Sequence, residues 1–128
     1  MTRYLSAEQV VSLHQGLTGL LSGDPGIRDL RALDAAVAKP TLVFEGEDLY
    51  GSMAAKAAAL LHSLVTLSPF VMASKGTAAV AAECFLAANG VALAATDQEL
   101  TELTTSIERG EVGIEGTSIW VGQRVAKA

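Results

Sequence analysis

The sequence predicts an all-α protein, one compact helical bundle over residues 1–128, and three observations carry that prediction. Half of the residues are apolar and only 18% are charged, so the chain can bury enough surface to offset its ordering entropy. Alanine fills 22 of the 128 positions while aromatic residues make up 5%, which suits close-packed helices better than strands. Apolar residues recur at helical spacing between capping and stop signals. At this length a single core is normal and two would be cramped.

The elements follow in order. Ser6 and Gln9 form a capping box ahead of Val10, Leu13, Leu17, Leu20 and Leu21, which predicts an amphipathic helix over about residues 7–22. The SGDPGIRD stretch is a turn cluster around Pro25, and Asp29 caps a second helix through Leu30, Leu33, Ala36 and Val37, stopped by Pro40. Residues 41–51 read as a loop with one extended turn. A third helix, from about Met53 to Leu67, is apolar on nearly every face and is expected at the centre. Pro69 opens a loop, a fourth helix runs from near Lys75 to Asn89, and Gly90 stops it. Thr96 and Glu99 make a second capping box for a fifth helix ending near Gly110. A weaker last helix is expected over Glu115–Ala126, interrupted by Gly116 and Gly122. There is no internal repeat and no linker long enough to separate domains.

Charge and targeting exclude several classes. The net charge is −5, from 14 acids against 9 bases, with no basic stripe, so nucleic acid is not an expected partner. The uncharged run Ala57–Ser74 reaches the lower limit for a membrane span, but it holds His62, Ser63, Thr66, Ser68 and Pro69, all costly in lipid. A buried helix followed by a loop accounts for it better. The N-terminus lacks the order of a signal peptide, and the expected location is the cytoplasm. The lone Cys84 has no disulfide partner and no zinc-ligating neighbours, and reads as a small buried hydrophobe.

Candidate chemistry concentrates where the loop SPFVMA turns into the helix SKGTAAVAA. Unpaired N–H groups and the positive helix end can attract an anion there; Lys75 would add a charge, Gly76 a close backbone approach and Thr77 a hydroxyl. A plain helix start with a solvated lysine explains the same residues, and both readings stay open. The spaced glycines of a Walker A motif are missing. Glu45, Glu47 and Asp48 crowd one loop and read as solvated acids; no metal site is expected. His62 reads as a hydrogen-bonded core or groove histidine, six residues from Ser68 and off its helical face. His14 reads as a surface or boundary residue, and Trp120 as an anchor for the last helix.

The runs GIRDLRALDAAVAKP, EGEDLYGSMAAKAAALLHSL and SPFVMASKGTAAVAAECFLAANG resemble the Doc (death-on-curing) branch of the Fic-fold family, over nearly the whole chain. The family signature after the central helix is His-Pro-Phe-x-Asp/Asn-Gly/Ala-Asn-Lys-Arg-Thr. The resemblance implies a small helical fold that moves phosphate, or a nucleotide monophosphate, from a nucleotide to a hydroxyl of a target protein. For the Doc branch it implies a translation elongation factor as target and a small antitoxin as partner, its disordered tail folding along a groove.

Carried over position by position, Pro69, Phe70, Ala73, Lys75 and Thr77 agree with the signature. Ser68 stands where the family has its histidine general base, and Met72 where an acid or amide helps hold metal or phosphates. Ser74 replaces the asparagine of the anion-binding turn, and Gly76 replaces the phosphate-clamping arginine. Serine is far too weak a base near neutral pH, and methionine suits magnesium poorly. The first expectation is therefore a Doc-like protein with no catalytic residue, inactive or strongly impaired, acting through protein binding. Lys75, Gly76 and Thr77 would be its phosphate-binding remnant, with Pro69 and Phe70 structural. The alternative is an active transferase with a rearranged site that borrows His62. ATP and magnesium belong to that alternative alone.

Overall fold

A computed structural model describes residues Met1–Ala128. Helix α1 (Ala7–Leu20) starts at the capping box, with Ser6 accepting from the Gln9 amide and Gln9 reaching back to the Ser6 amide. It ends two residues earlier than its apolar stripe suggests. Ser22 adopts the left-handed conformation at φ 52°, and Leu20 and Leu21 face solvent, 85% and 60% exposed. Asp29 caps α2 (Leu30–Ala38), which runs into a single 3-10 turn at Lys39–Thr41 carrying Pro40.

Helix α3 (Met53–Leu67) is the central element, packed against α2, α4, α5 and α6. Its alanines let neighbouring backbones approach closely, while Leu60, Leu61 and Leu64, all essentially inaccessible, each contribute about 1.5–3 kcal/mol by burial. Helices α4 (Ser74–Ala88) and α5 (Asp97–Glu108) complete the bundle with α6 (Ile114–Gly122). One hydrophobic cluster links residues of α1 to α6 around Phe70, Phe85 and the α3 leucines. No helix is long and apolar enough to cross a membrane.

Two small antiparallel pairs depart from the helical expectation. The 41–51 segment contains a hairpin, β1 (Val43–Phe44) with β2 (Glu47–Asp48). Glu45 and Gly46 both have positive φ at its tip (52° and 81°), the backbone that a tight two-residue hairpin demands. At the C-terminus the expected helix to Ala126 is corrected. Helix α6 stops at Gly122, and β4 (Val125–Lys127) pairs with β3 (Val91–Leu93). Arg124 fixes the reversal by stacking on Trp120 at 4.0 Å and pairing with Glu99 at 3.4 Å.

The hairpin is tied down through Lys56, a charged residue 98% buried in the first turns of α3. Its Nζ meets Asp48 at 2.9 Å, side-chain exposure 2% against 48%, and lies over the Tyr4 ring. Asp48 is thus an ion-pair partner, not the solvated acid its loop suggests. Burial pulls the Lys56 pKa down, but Asp48 and Tyr4 outweigh it and the net displacement is upward. The stability it contributes is therefore complete below the ordinary lysine value and lost as the pH climbs through the higher folded value. Asp48→Ala should destabilise by about 2–3 kcal/mol, below the fully buried range because Asp48 is half exposed, since it strands a buried ammonium. Lys56→Met should stay within about 1 kcal/mol of wild type and lack the alkaline loss. Urea titrations of both variants at pH 7 and pH 11 check this; equal losses in the two would contradict it.

Candidate functional site

The loop between α3 and α4 is built by three restraints. Ser68 ends α3 in the left-handed conformation, φ 44°, its N–H donating to the Leu64 carbonyl, and Pro69 forbids continuation. The Gly26–Asp29 segment then pairs with the loop as a short antiparallel bridge between Ile27 and Phe70. The Arg28 and Asp29 amides both donate to the Pro69 carbonyl (2.7 and 3.0 Å), and the Val71 amide donates to Gly26 (3.0 Å). The Arg28 guanidinium caps the end of α3, reaching the Leu67 and Ser68 carbonyls at 2.8 Å. Arg28 escaped the sequence reading because its acceptors are backbone carbonyls forty residues away.

The third restraint is His14, whose expected place at the surface or its boundary is overturned. It is fully buried, its ring stacked on Phe70 with centroids 3.8 Å apart and planes 9° from parallel. Its Nε2 lies 2.8 Å from the Met72 carbonyl. A carbonyl only accepts, so Nε2 carries the proton, and the buried Nδ1 has no partner. The signal was in the spacing: His14 shares a helical face with Val10 and Leu17. His14→Leu should cost about 1–3 kcal/mol by leaving the Met72 carbonyl unpaired. Long-range proton–nitrogen correlation should show the Nε2-protonated tautomer; the Nδ1 tautomer would contradict this bond.

At the loop's far end Ala73 is left-handed, φ 63°, and α4 begins with no side-chain cap. Thr77 is the first residue whose amide bonds back along the helix, to the Ala73 carbonyl. The amides of Ser74, Lys75 and Gly76 keep the free-donor geometry of a helix start. The Ser74 hydroxyl accepts from the Phe70 amide at 3.3 Å and lies 3.5 Å from the Ser68 hydroxyl. It braces the loop from within.

These residues line a cavity of about 390 Å³ whose polar side chains are Ser68, Ser74, Lys75 and Glu108. Its one cation and one anion pair with each other, Lys75 Nζ to Glu108 Oε1 at 3.1 Å. The pair is solvent-exposed and adds little stability, but it neutralises the charge that would meet a phosphate. Met72 turns its sulfur away, accepting from the Asp24 amide at 3.1 Å. It fills the space beside Gly23, where an added Cβ would come within 2.6 Å of Sδ. A Cβ on Gly76 would meet Leu17 Cδ2 at 2.8 Å, so any larger residue there needs Leu17 to move. The donors present do not suit magnesium: a thioether bonded elsewhere and one carboxylate held by lysine.

The structure thus gathers Ser68, Pro69, Phe70, Met72, Ser74, Lys75 and Gly76 in one place and separates others from it. The Thr77 hydroxyl is buried without a partner and lines no cavity, so it is not presented to the loop's open side. His62 lines no cavity either; burial and then the Lys39 charge hold its pKa low. It is not brought to Ser68. Cys84 is half-buried, and burial followed by Glu83 pushes its thiol up, which disfavours a reactive thiolate. Trp120 packs against the core as expected.

Comparison with known proteins gives two matches. The model of the Fic/DOC family matches residues 4–86. A protein named Toxin Doc from Mycolicibacterium smegmatis is 44% identical over 95 residues, which cover 74% of this chain and 71% of that protein.

Proposed function

Because the chain belongs to the Fic/DOC family, we propose that it is a Doc-type toxin homologue of a toxin–antitoxin system whose transfer chemistry is lost or strongly impaired. It acts through protein binding, with a small antitoxin as the expected partner. One observation supports the reading: by resemblance to the family signature, Ser68, Met72, Ser74 and Gly76 stand at the positions that hold the family's chemistry, and the one cation lining their cavity, Lys75, is paired with Glu108.

Magnitudes support impairment. A positioned general base contributes about 10²–10⁴ in rate, and Ser68 cannot supply one. A phosphate-clamping arginine contributes on the order of 10³-fold by analogy with arginine fingers, and Gly76 has no side chain. The loop that carries these positions is firmly held, by Arg28, His14 and Ser74. A well-ordered loop without the signature's reacting groups favours a binding protein.

The test incubates the full chain with magnesium and a cell lysate, using ATP labelled in one arm at the γ-phosphate and in the other at the α-phosphate. No protein should gain label in either arm. Labelling that disappears in a Lys75→Ala, His62→Ala variant would establish the active-transferase alternative.

A further inference from the structure

Two side-chain atoms are buried without a partner in the chain, His14 Nδ1 and Thr77 Oγ1. Both residues are fully buried, and a bare polar atom at such depth is uncommon in a folded protein. Two of them in one small core call for a shared explanation.

They lie at one level of the fold. Helices α1 and α4 run antiparallel, which three contacts fix. Tyr4 stacks on Phe85, the Arg3 amide and carbonyl bond the Asn89 side chain at 2.8 Å, and Leu17 faces Gly76. His14 stands three residues before Leu17, and Thr77 one after Gly76. The two are therefore within a helical turn of each other across the packed helices. Nearby hydroxyls are already engaged. Thr18 Oγ1 donates to the His14 and Gln15 carbonyls, and Ser74 Oγ accepts from the Phe70 amide.

The chemistry of the pair is complementary but needs an intermediary. Nε2 gives the ring proton to the Met72 carbonyl, so Nδ1 is an acceptor only, while the threonine hydroxyl can donate. No direct bond joins them. A water molecule can accept from one and donate to the other, and the small residues around Thr77 on α4, Gly76, Ala78 and Ala81, leave room for one.

We propose that a single internal water joins Thr77 Oγ1 to His14 Nδ1 inside the α1–α4 contact, and that Thr77 thereby positions the motif loop from within the core. The hydroxyl donates to the water, the water donates to Nδ1, and Nε2–H donates to the Met72 carbonyl. Each donor in that chain polarises the next. With Nδ1 held as an acceptor, the ring keeps its proton on Nε2 and the loop keeps its hold at Met72. Thr77 acts on the loop through His14, not as a phosphate contact, whether or not the chain transfers phosphate.

Nitrogen NMR of the full chain, isotope-labelled at its histidines, tests this relay with His62 as the internal control. In the native chain His14 Nδ1 should resonate at the lower frequency of a hydrogen-bonded acceptor, with Nε2–H protected from solvent exchange. Thr77→Val should move Nδ1 to the frequency of a bare acceptor and speed Nε2–H exchange about tenfold, the scale of one lost hydrogen bond. Thr77→Ser keeps the hydroxyl and should keep both native readings, and the His62 signals should not move in either variant. A packing role for the threonine methyl would do the reverse, leaving Thr77→Val native-like and disturbing Thr77→Ser. A crystal structure of the native chain reads the same point without a variant, as an ordered water within hydrogen-bond distance of both atoms. A native Nδ1 at the bare frequency, unchanged signals in Thr77→Val, or a Thr77 hydroxyl bonded straight to His14 or to a backbone carbonyl would overturn the proposal.

Discussion

Rebuilding four positions should raise transfer activity. The combination Ser68→His, Met72→Asp, Ser74→Asn and Gly76→Arg, made together with Leu17→Ala, should transfer label from ATP to protein in a cell lysate on the order of 10³-fold faster than the native chain. The histidine would stand at the left-handed end of α3, which Arg28 already fixes. The arginine would project from the first turn of α4, where Leu17 now lies 2.8 Å from its Cβ position; Leu17→Ala clears that approach. Aspartate at 72 would supply the oxygen donor that the methionine sulfur does not. Labelling kinetics check the claim. A rebuilt variant that folds and labels no faster than the native chain would contradict the proposal that these four positions limit transfer.

Phe70→Ala should be the most destabilising single change in the loop, by about 3–5 kcal/mol. Its ring is 98% buried in the main hydrophobic cluster and stacked on His14. Truncation opens a cavity between α1, α3 and the loop and leaves the imidazole without its partner. The thermal midpoint should fall on the order of 10–15 °C. The control is Phe44→Ala on the hairpin, 66% exposed, which should stay within about 0.5 kcal/mol. Urea denaturation separates the two, and a loss below about 1.5 kcal/mol for Phe70→Ala would show that the loop is not part of the core.

The helices were legible because their ends are written in short-range chemistry. Ser6 with Gln9, Asp29, and Thr96 with Glu99 cap as their spacing says, and the run of alanines and leucines marks α3 as central. The β3–β4 pair was not legible, since Val91–Leu93 and Val125–Lys127 find each other only after the bundle has formed. The hairpin left one local trace, Glu45-Gly46 at its tip. At the site, the family membership was legible in the motif of residues 68–77. The supports were not. Arg28 acts on carbonyls, the buried Lys56 pairs with Asp48 of the hairpin, and Glu108 reaches Lys75 from the far end of another helix. Such partners lie far apart in sequence, and periodicity carries no information about them.

Whether the loop of residues 68–77 still holds a metal-bound nucleotide is read most directly by calorimetric titration of the native chain with ATP, in the presence and absence of magnesium. Binding should be weak, through Lys75 and the start of α4, with no gain when magnesium is added. Tight binding that depends on magnesium would overturn the proposed loss of transfer chemistry.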